Sequence, residues 1–226
     1  MQEFKKISEV KPFQKPQDSI FSTLFTRRLS RVLTFITVKW FPKVTPNQVS
    51  AFSFVLSVAA CGLFLHPNWW WRLLGVVLLQ LGFAFDCSDG ELARIKNLSS
   101  KYGAWLDSVF DRIKEALILG AMAMWWFWNR ESEIWVLLVG FGAIIGLQLV
   151  SYLREAKKAS WPSDRISEVF ITKKIYIGTV DVTIYLVSAA VLLNLQIWAL
   201  WIFLAVSIPL LLKQFWSAYK LSKREV

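Results

Sequence analysis

The sequence predicts an all-α integral membrane protein, with six transmembrane helices preceded by an amphipathic interfacial helix. Three observations carry that reading. Six long apolar runs lie at about 48–65, 69–86, 104–128, 134–153, 180–193 and 195–212, each near the roughly 20 residues that cross a bilayer core. Hydrophobic residues make up 55% of the 226 positions and mean hydropathy is positive, which argues against an ordinary soluble domain. Finally, the Lys and Arg residues alternate between dense and sparse connections along the chain.

Taken in order, residues 1–43 form a polar, basic segment, too charged to be a cleavable signal peptide. Within it Ile20, Phe21, Leu24, Phe25, Leu29, Val32, Leu33 and Ile36 recur at helical spacing, while Arg27, Arg28, Ser30 and Arg31 take the other side. That pattern predicts a helix lying in the cytoplasmic interface with its arginines toward headgroups. Pro42 ends it. Thr45-Pro46-Asn47-Gln48 then reads as a capping box, with Thr45 as N-cap, Pro46 at the first helical position and Gln48 reaching back. Residues 44–215 follow as a six-helix transmembrane domain, and 216–226 as a cytoplasmic tail.

Within the spans, Trp69, Trp70 and Trp71, and later Trp125, Trp126 and Trp128, mark helix ends and suggest an external aromatic belt. Gly142 and Gly146 make a small-x-x-x-small step that lets two helices approach closely, within one chain or between two. Cys61 and Cys87 read as small apolar side chains, because two cysteines in apolar helices do not make a disulfide framework. The lone His66, beside Pro67 in an external turn, has no second ligand near it in sequence and is expected to be neither metal-binding nor catalytic.

Nine of the 26 Lys and Arg lie in residues 1–43, five between Arg94 and Lys114, six in 154–174 and four in 213–224. The alternate connections carry only Arg72 and Arg130. Positive residues stay inside, so both termini are expected in the cytoplasm. The net charge of +10 then follows from topology and anionic headgroups, and nucleic acid is not needed to explain it.

The densest chemistry lies between the second and third runs. The chain reads Asp86-Cys-Ser-Asp89-Gly90-Glu-Leu-Ala93-Arg94, then eight residues, then Gly103-x-x-x-Asp107-x-x-x-Asp111. Ionisable groups at membrane depth are costly, so four carboxylates there need a functional reason. On helices, Asp86 and Asp89 share one face, as do Asp107 and Asp111. Two such faces turned together make an all-oxygen cage suited to hard cations such as Mg²⁺ or Mn²⁺. The glycines and Ala93 leave room for a bulky anionic ligand, and Arg94 offers a planar cation to its phosphates.

Those eight letters at that spacing resemble the signature of the CDP-alcohol phosphotransferase family without a departure. At about 5% usage each, chance recurrence has odds on the order of 10⁻⁸. The resemblance implies transfer of a substituted phosphate from a CDP-alcohol to an acceptor alcohol with release of CMP, as in phospholipid or headgroup synthesis. It implies two ions, one on Asp86, Asp89 and Asp107, the other on Asp86, Asp107 and Asp111. Asp111 is the implied general base, or a residue that positions the acceptor. Gly90, Ala93, Arg94 and Gly103 would line the CDP-alcohol pocket, with Asn47 near it, and a homodimer is expected. Ser88 and Glu91 fall at variable positions and receive no role.

For the acceptor, Ser151-Tyr-Leu-Arg154-Glu-Ala-Lys157-Lys158, with Arg165, Lys173 and Lys174, concentrates positive charge and suits a phosphorylated polyol such as inositol phosphate, Arg154 being the candidate contact. The same charges also read as a positive-inside loop. Family members acting on phosphorylated acceptors often read Ser-Tyr-x-Lys-Ala-Arg here, and Ala156 stands where the second cation would be. The segments Asp18-Ser-Ile-Phe to Arg27-Arg28-x-Ser30 and Gly178-Thr-Val-Asp181-Val-Thr look similar to the branch of di-inositol-phosphate phosphate synthases. Alternatives are a phosphatidylglycerol-phosphate-type synthase and, in a different class, a divalent cation transporter.

The charge asymmetry yields a test. Single-cysteine tags at either terminus should react only from the cytoplasmic side of sealed vesicles, and one within 129–133 only from outside. Labelling of the two termini from opposite sides would mean an odd number of spans.

Overall fold

The computed structural model describes residues 4–15, 18–19, 22–161, 175–176 and 179–223. Among the described residues seven α-helices dominate: α1 (Arg27–Trp40), α2 (Pro46–Phe64), α3 (Trp69–Lys96), α4 (Lys101–Asn129), α5 (Ile134–Ser160), α6 (Thr179–Leu193) and α7 (Gln196–Ser222). A 3₁₀ helix over Ile7–Phe13 and a π-helical turn over Ser22–Thr26 precede α1. Strand β1 (Asp18–Ser19) pairs in parallel with β2 (Ile175–Tyr176) over two residues.

All six apolar runs fold as helices, α2 to α7. Four of them, α2, α3, α5 and α7, are long and apolar enough to cross a membrane. The physical reason that α4 falls short is its first half, where Asp107, Asp111, Arg112, Lys114 and Glu115 dilute the apolar content. Helix α6 is 15 residues and short for a span. The capping box at α2 forms as expected: Gln48 N donates to Thr45 Oγ1 at 3.3 Å, and Thr45 N donates to Gln48 Oε1 at 2.9 Å. Helix α7 runs to Ser222, so residues 216–222 continue it as its last turns. The basic stretch 151–158 is likewise the end of α5 and not a loop.

The main core joins α2 to α7 around Phe64, Leu79, Leu119, Met122, Val187 and Leu200. Lipid tails are as apolar as leucine, so such contacts alone do not decide which helices pair; close approach and polar bonds do. A Cβ at Gly140 would stand 2.5 Å from Ala123 Cβ on α4, and one at Gly142 would stand 3.1 Å from Leu204 of α7. One at Gly146 would overlap Ser207. The small-residue step of α5 is therefore used against α7 inside the chain. Between α2 and α3, Ser53 Oγ donates to the Gly82 carbonyl at 2.9 Å.

Helix α1 corrects one expectation. Its polar side faces the protein: Arg27, Ser30, Thr34 and Thr37 are buried, while Leu29, Ile36 and Trp40 are exposed. The reason is Glu91 of α3, which is fully buried. It accepts from Arg27 Nη1 at 3.2 Å, Ser30 Oγ at 2.7 Å, Thr34 Oγ1 at 2.7 Å and Gln14 Nε2 at 2.9 Å. A buried charge must be paired, and this one collects α1 and the N-terminal segment around itself. Of the three arginines expected at headgroups, Arg28 is exposed, Arg27 is buried, and Arg31 donates to Gln14 Oε1 at 2.9 Å.

The tryptophan belt also needs amending. Trp70 and Trp128 are exposed, but Trp125 is buried and donates to the His66 carbonyl at 3.2 Å. Arg72 lies over its ring, 4.5 Å from the centroid, and donates to Asn194 Oδ1 at 2.6 Å. Arg72 is only 3% exposed, so this cation joins α3, α4 and the α6–α7 connection and does not sit free in an external loop. Cys61 and Cys87 are unbridged, and His66 Nδ1 accepts from Asn68 N at 3.0 Å beside the N-terminus of α3.

Glu91→Ala leaves Arg27 buried without its carboxylate, and should cost about 3–5 kcal/mol. Thermal unfolding in detergent should show the loss as a clearly lowered midpoint. An unchanged midpoint would mean that α1 is held by other contacts.

Candidate functional site

Two helix ends build the site. Asn97 adopts the left-handed conformation (φ 54°) that closes α3, and Ser100 Oγ caps α4 by accepting from Gly103 N at 3.0 Å. The short connection between them turns the last turns of α3 back beside the first turns of α4. Helix α2 packs along both, whereas the backbones of α3 and α4 stay apart. The stacked pair Phe54–Phe110 and the edge-on pair Phe52–Phe85 set that spacing. The gap so left is spanned by side chains and not closed by backbone.

Into it point the aspartates. Carboxylate oxygens of Asp86, Asp89 and Asp107 lie within 4.8 Å of one another. Oxygens on opposite sides of a Mg²⁺ with bonds near 2.1 Å stand about 4.2 Å apart, so the donor set fits one hard divalent ion with little adjustment. Helix α2 contributes two hydroxyls: Ser50 Oγ donates to Asp89 Oδ2 at 2.5 Å, and Ser53 Oγ to Asp86 Oδ1 at 3.4 Å. Asp111 stands apart from that triad. Its Oδ1 is 2.8 Å from Lys114 Nζ, which also reaches Asp86 Oδ1 at 2.6 Å.

Ser50, Ser53 and Lys114 were not candidates from the sequence. Lys114 had a readable signal: with Asp107 and Asp111 it forms one stripe of α4 at steps of four and three. The two serines had none, since nothing local to α2 says which carboxylates it meets. Glu91, given no role from the motif, lies on the other side of α3 and anchors α1.

The remaining candidates fall around the cage. A Cβ at Gly90 would meet only the Arg94 guanidinium, at 3.6 and 3.7 Å, so the surface beside the triad is open. Gly103 is tighter, with Asn47 Oδ1 and Ser100 Oγ both 3.2 Å from its would-be Cβ, which places Asn47 against the motif. Ala93 is half-buried. Arg94 Nε donates to the Phe13 carbonyl, while its Nη2 is buried with no protein partner. A guanidinium nitrogen left over beside an open surface fits an anionic ligand.

Toward α5, Arg112 pairs with Glu115 at 2.7 Å and bonds Ser151 Oγ, and Gln148 Nε2 donates to the Arg112 carbonyl at 2.8 Å. Arg154 lies near enough to act on the Glu115 charge. Lys157 is engaged by Ser217 at 3.0 Å and Lys158 by Glu155 at 2.6 Å. Arg165, Lys173, Lys174 and Gly178, and the side chain of Asp181, lie outside the described residues. A cavity bounded by Ser57, Phe83, Asp111, Lys114, Thr183 and Ile184 opens beside the cage between α2, α3, α4 and α6.

Residues 43–209 match the family model described as CDP-alcohol phosphatidyltransferase. A bifunctional IPC transferase and DIPP synthase of Aquifex aeolicus is 33% identical over 183 residues, 80% of this chain and 40% of that protein. A phosphatidylinositol phosphate synthase of Corynebacterium glutamicum is 31% identical over 121 residues, 52% of this chain and 53% of that one. The chain thus spans about half or less of the length of these relatives. Among solved structures, the Mycobacterium tuberculosis phosphatidylinositol phosphate synthase with CDP-DAG bound superposes with a TM-score of 0.64 at 19% identity, covering 86% of this chain and 94% of that one. The same enzyme in complex with manganese and citrate gives 0.63 at 19% identity, covering 86% and 89%. At that identity the likeness speaks for the fold.

Proposed function

The chain belongs to the CDP-alcohol phosphatidyltransferase family, and from that premise we propose that it transfers a substituted phosphate group from a CDP-alcohol to an acceptor alcohol, releasing CMP. The observation that carries the proposal is the meeting of Asp86, Asp89 and Asp107 across the gap between α3 and α4, with open surface at Gly90 next to them.

In this reading the protein sits in a membrane with α2 to α7 as six spans, α1 in the interface, and both termini and the cage on the cytoplasmic side. Length supports the depth. Asp86 and Asp89 lie 17 and 20 residues along α3 from Trp69, or about 26 and 30 Å. That is about one hydrocarbon thickness from the tryptophan end, so the carboxylates reach the opposite edge. The exposed apolar side of α1 then faces lipid, and its buried polar side faces Glu91 of α3.

The chemistry follows from charge. Asp86, Asp89 and Asp107, with Asp111 beside them, would hold Mg²⁺ or Mn²⁺, and such a cation, when bound, neutralises the diphosphate and stabilises CMP as leaving group. Arg94 and the small positions Gly90, Ala93 and Gly103 would receive the CDP moiety. Asp111 would direct the acceptor hydroxyl; with one oxygen already held by Lys114, its other oxygen is the one open to that hydroxyl. Arg154 would meet the acceptor's phosphate. Inositol phosphate or another phosphorylated polyol is the acceptor class we favour, in keeping with the names of the relatives and with the basic end of α5.

Asp86→Asn, Asp89→Asn, Asp107→Asn and Asp111→Asn should each lower CMP release on the order of 10²-fold or more while the protein remains folded in membranes. EDTA should abolish turnover, and Mg²⁺ or Mn²⁺ should restore it. Near-parental turnover in any two of these variants would exclude the proposed site.

Arg154→Ala should raise the acceptor KM by about 10- to 150-fold with little change for the donor, the span expected of a lost charge-assisted bond to phosphate. Arg94→Ala should show the opposite preference. Kinetic series at saturating donor and at saturating acceptor separate the two; an unchanged acceptor KM in Arg154→Ala returns the end of α5 to a topology signal.

A further inference from the structure

We propose that Lys114 occupies the second cation position of the aspartate cage, so that this chain holds one divalent ion tightly where its four aspartates would otherwise hold two. The inference rests on the reading of those carboxylates as an ion cage.

The placement is built into α4. Asp107, Asp111 and Lys114 share a stripe, and helical side chains lean toward the N-terminus, so Lys114 reaches back over Asp111. Its Nζ ends 2.8 Å from Asp111 Oδ1 and 2.6 Å from Asp86 Oδ1. Those two residues, with Asp107, are the set that the motif implies for a second ion. The oxygens gathered within 4.8 Å are instead those of Asp86, Asp89 and Asp107, and Asp111 is not among them. The cage is therefore divided: three carboxylates converge on one point, and the fourth is bridged to Asp86 by an ammonium. A dication placed on the same two oxygens would face that ammonium at contact distance, where like charges repel most strongly.

Lys114 also lacks another seat. Its side chain is 12% exposed, and the cavity beside it is bounded by Ser57, Leu79, Phe83, Ile118, Thr183 and Ile184, none of them charged. The other carboxylate on that wall, Glu115, is held by Arg112 at 2.7 Å. A second dication on Asp86 and Asp111 would have to displace Lys114 and leave its ammonium among neutral groups. The lysine thus supplies a fixed positive charge where a dissociable ion would stand, and it holds Asp111 and Asp86 in place before any ion arrives.

Titration of the purified full-length chain with Mn²⁺ alone, by equilibrium dialysis and electron paramagnetic resonance, tests this. The parent should take up one tight ion with no spin coupling between neighbouring Mn²⁺. Lys114→Met, which keeps the length and removes the charge, should take up two, with the signature of a coupled pair; Lys114→Arg should stay at one. Asp89→Asn should lose the tight ion in every background. Two coupled ions in the parent would overturn the role of Lys114 while leaving the cage intact, and this result does not depend on any variant folding. One ion in a folded Lys114→Met would overturn it equally. No tight Mn²⁺ in the parent, or uptake indifferent to Asp89→Asn, would remove the cage reading and this inference with it.

Discussion

Charge taken out of water must find a partner, and most of this architecture can be traced to that constraint acting on the last turns of α3. Three acids fall within six residues there, Asp86, Asp89 and Glu91. At 100° per residue the two aspartates face one way and Glu91 faces roughly the other. Each side therefore recruits its own surroundings. Toward α2 and α4 the partners are Ser50, Ser53 and Lys114; toward α1 they are Arg27, Ser30, Thr34 and Gln14. The same helix end thus carries the proposed chemistry on one side and fastens the N-terminal segment on the other. Arg94, one turn on, links the two through its bond to the Phe13 carbonyl.

Elsewhere the helices are joined by what an apolar solvent cannot imitate. Gly140 admits Ala123, Gly142 and Gly146 admit α7, and Gly82 admits the serines of α2. Close backbone approach gains dispersion contacts that lipid tails would not supply equally well. At the far end Arg72 plays the part that Glu91 plays at the near end, a buried charge whose partners come from α4, α6 and the α6–α7 connection. The scaffold is thereby clamped at both ends, while the gap between α3 and α4 stays open at the cage.

Several features could be read without coordinates because they are encoded locally. The helix start at Thr45–Gln48 is set by contacts three residues apart, and the shared faces of Asp86 with Asp89 and of Asp107 with Asp111 follow from helical periodicity. Lys114 obeys the same periodicity, but a basic residue on an acidic stripe does not announce whether it turns to solvent or into the cage. Helix α1 shows a related limit. Its two sides follow from the periodicity, but which side faces the protein depends on Glu91, 64 residues from Arg27. Trp125 shows the same limit, since an aromatic at a helix end suits an interface as well as a stack under Arg72.

The sequence by itself determined the helices, their apolar character, the polar letters each stripe carries and the family to which their spacing belongs. All of these are properties of a few consecutive turns. Only the tertiary structure decided that α3 and α4 stand apart with α2 against both, that Ser50 meets Asp89, and that the glycines of α5 serve α7. It alone placed the Lys114 ammonium between Asp86 and Asp111. The physical reason is that periodicity sets where a side chain leaves its own helix, whereas the group it meets is set by the angle and spacing between helices. Those come from small residues and buried charges spread along the whole chain.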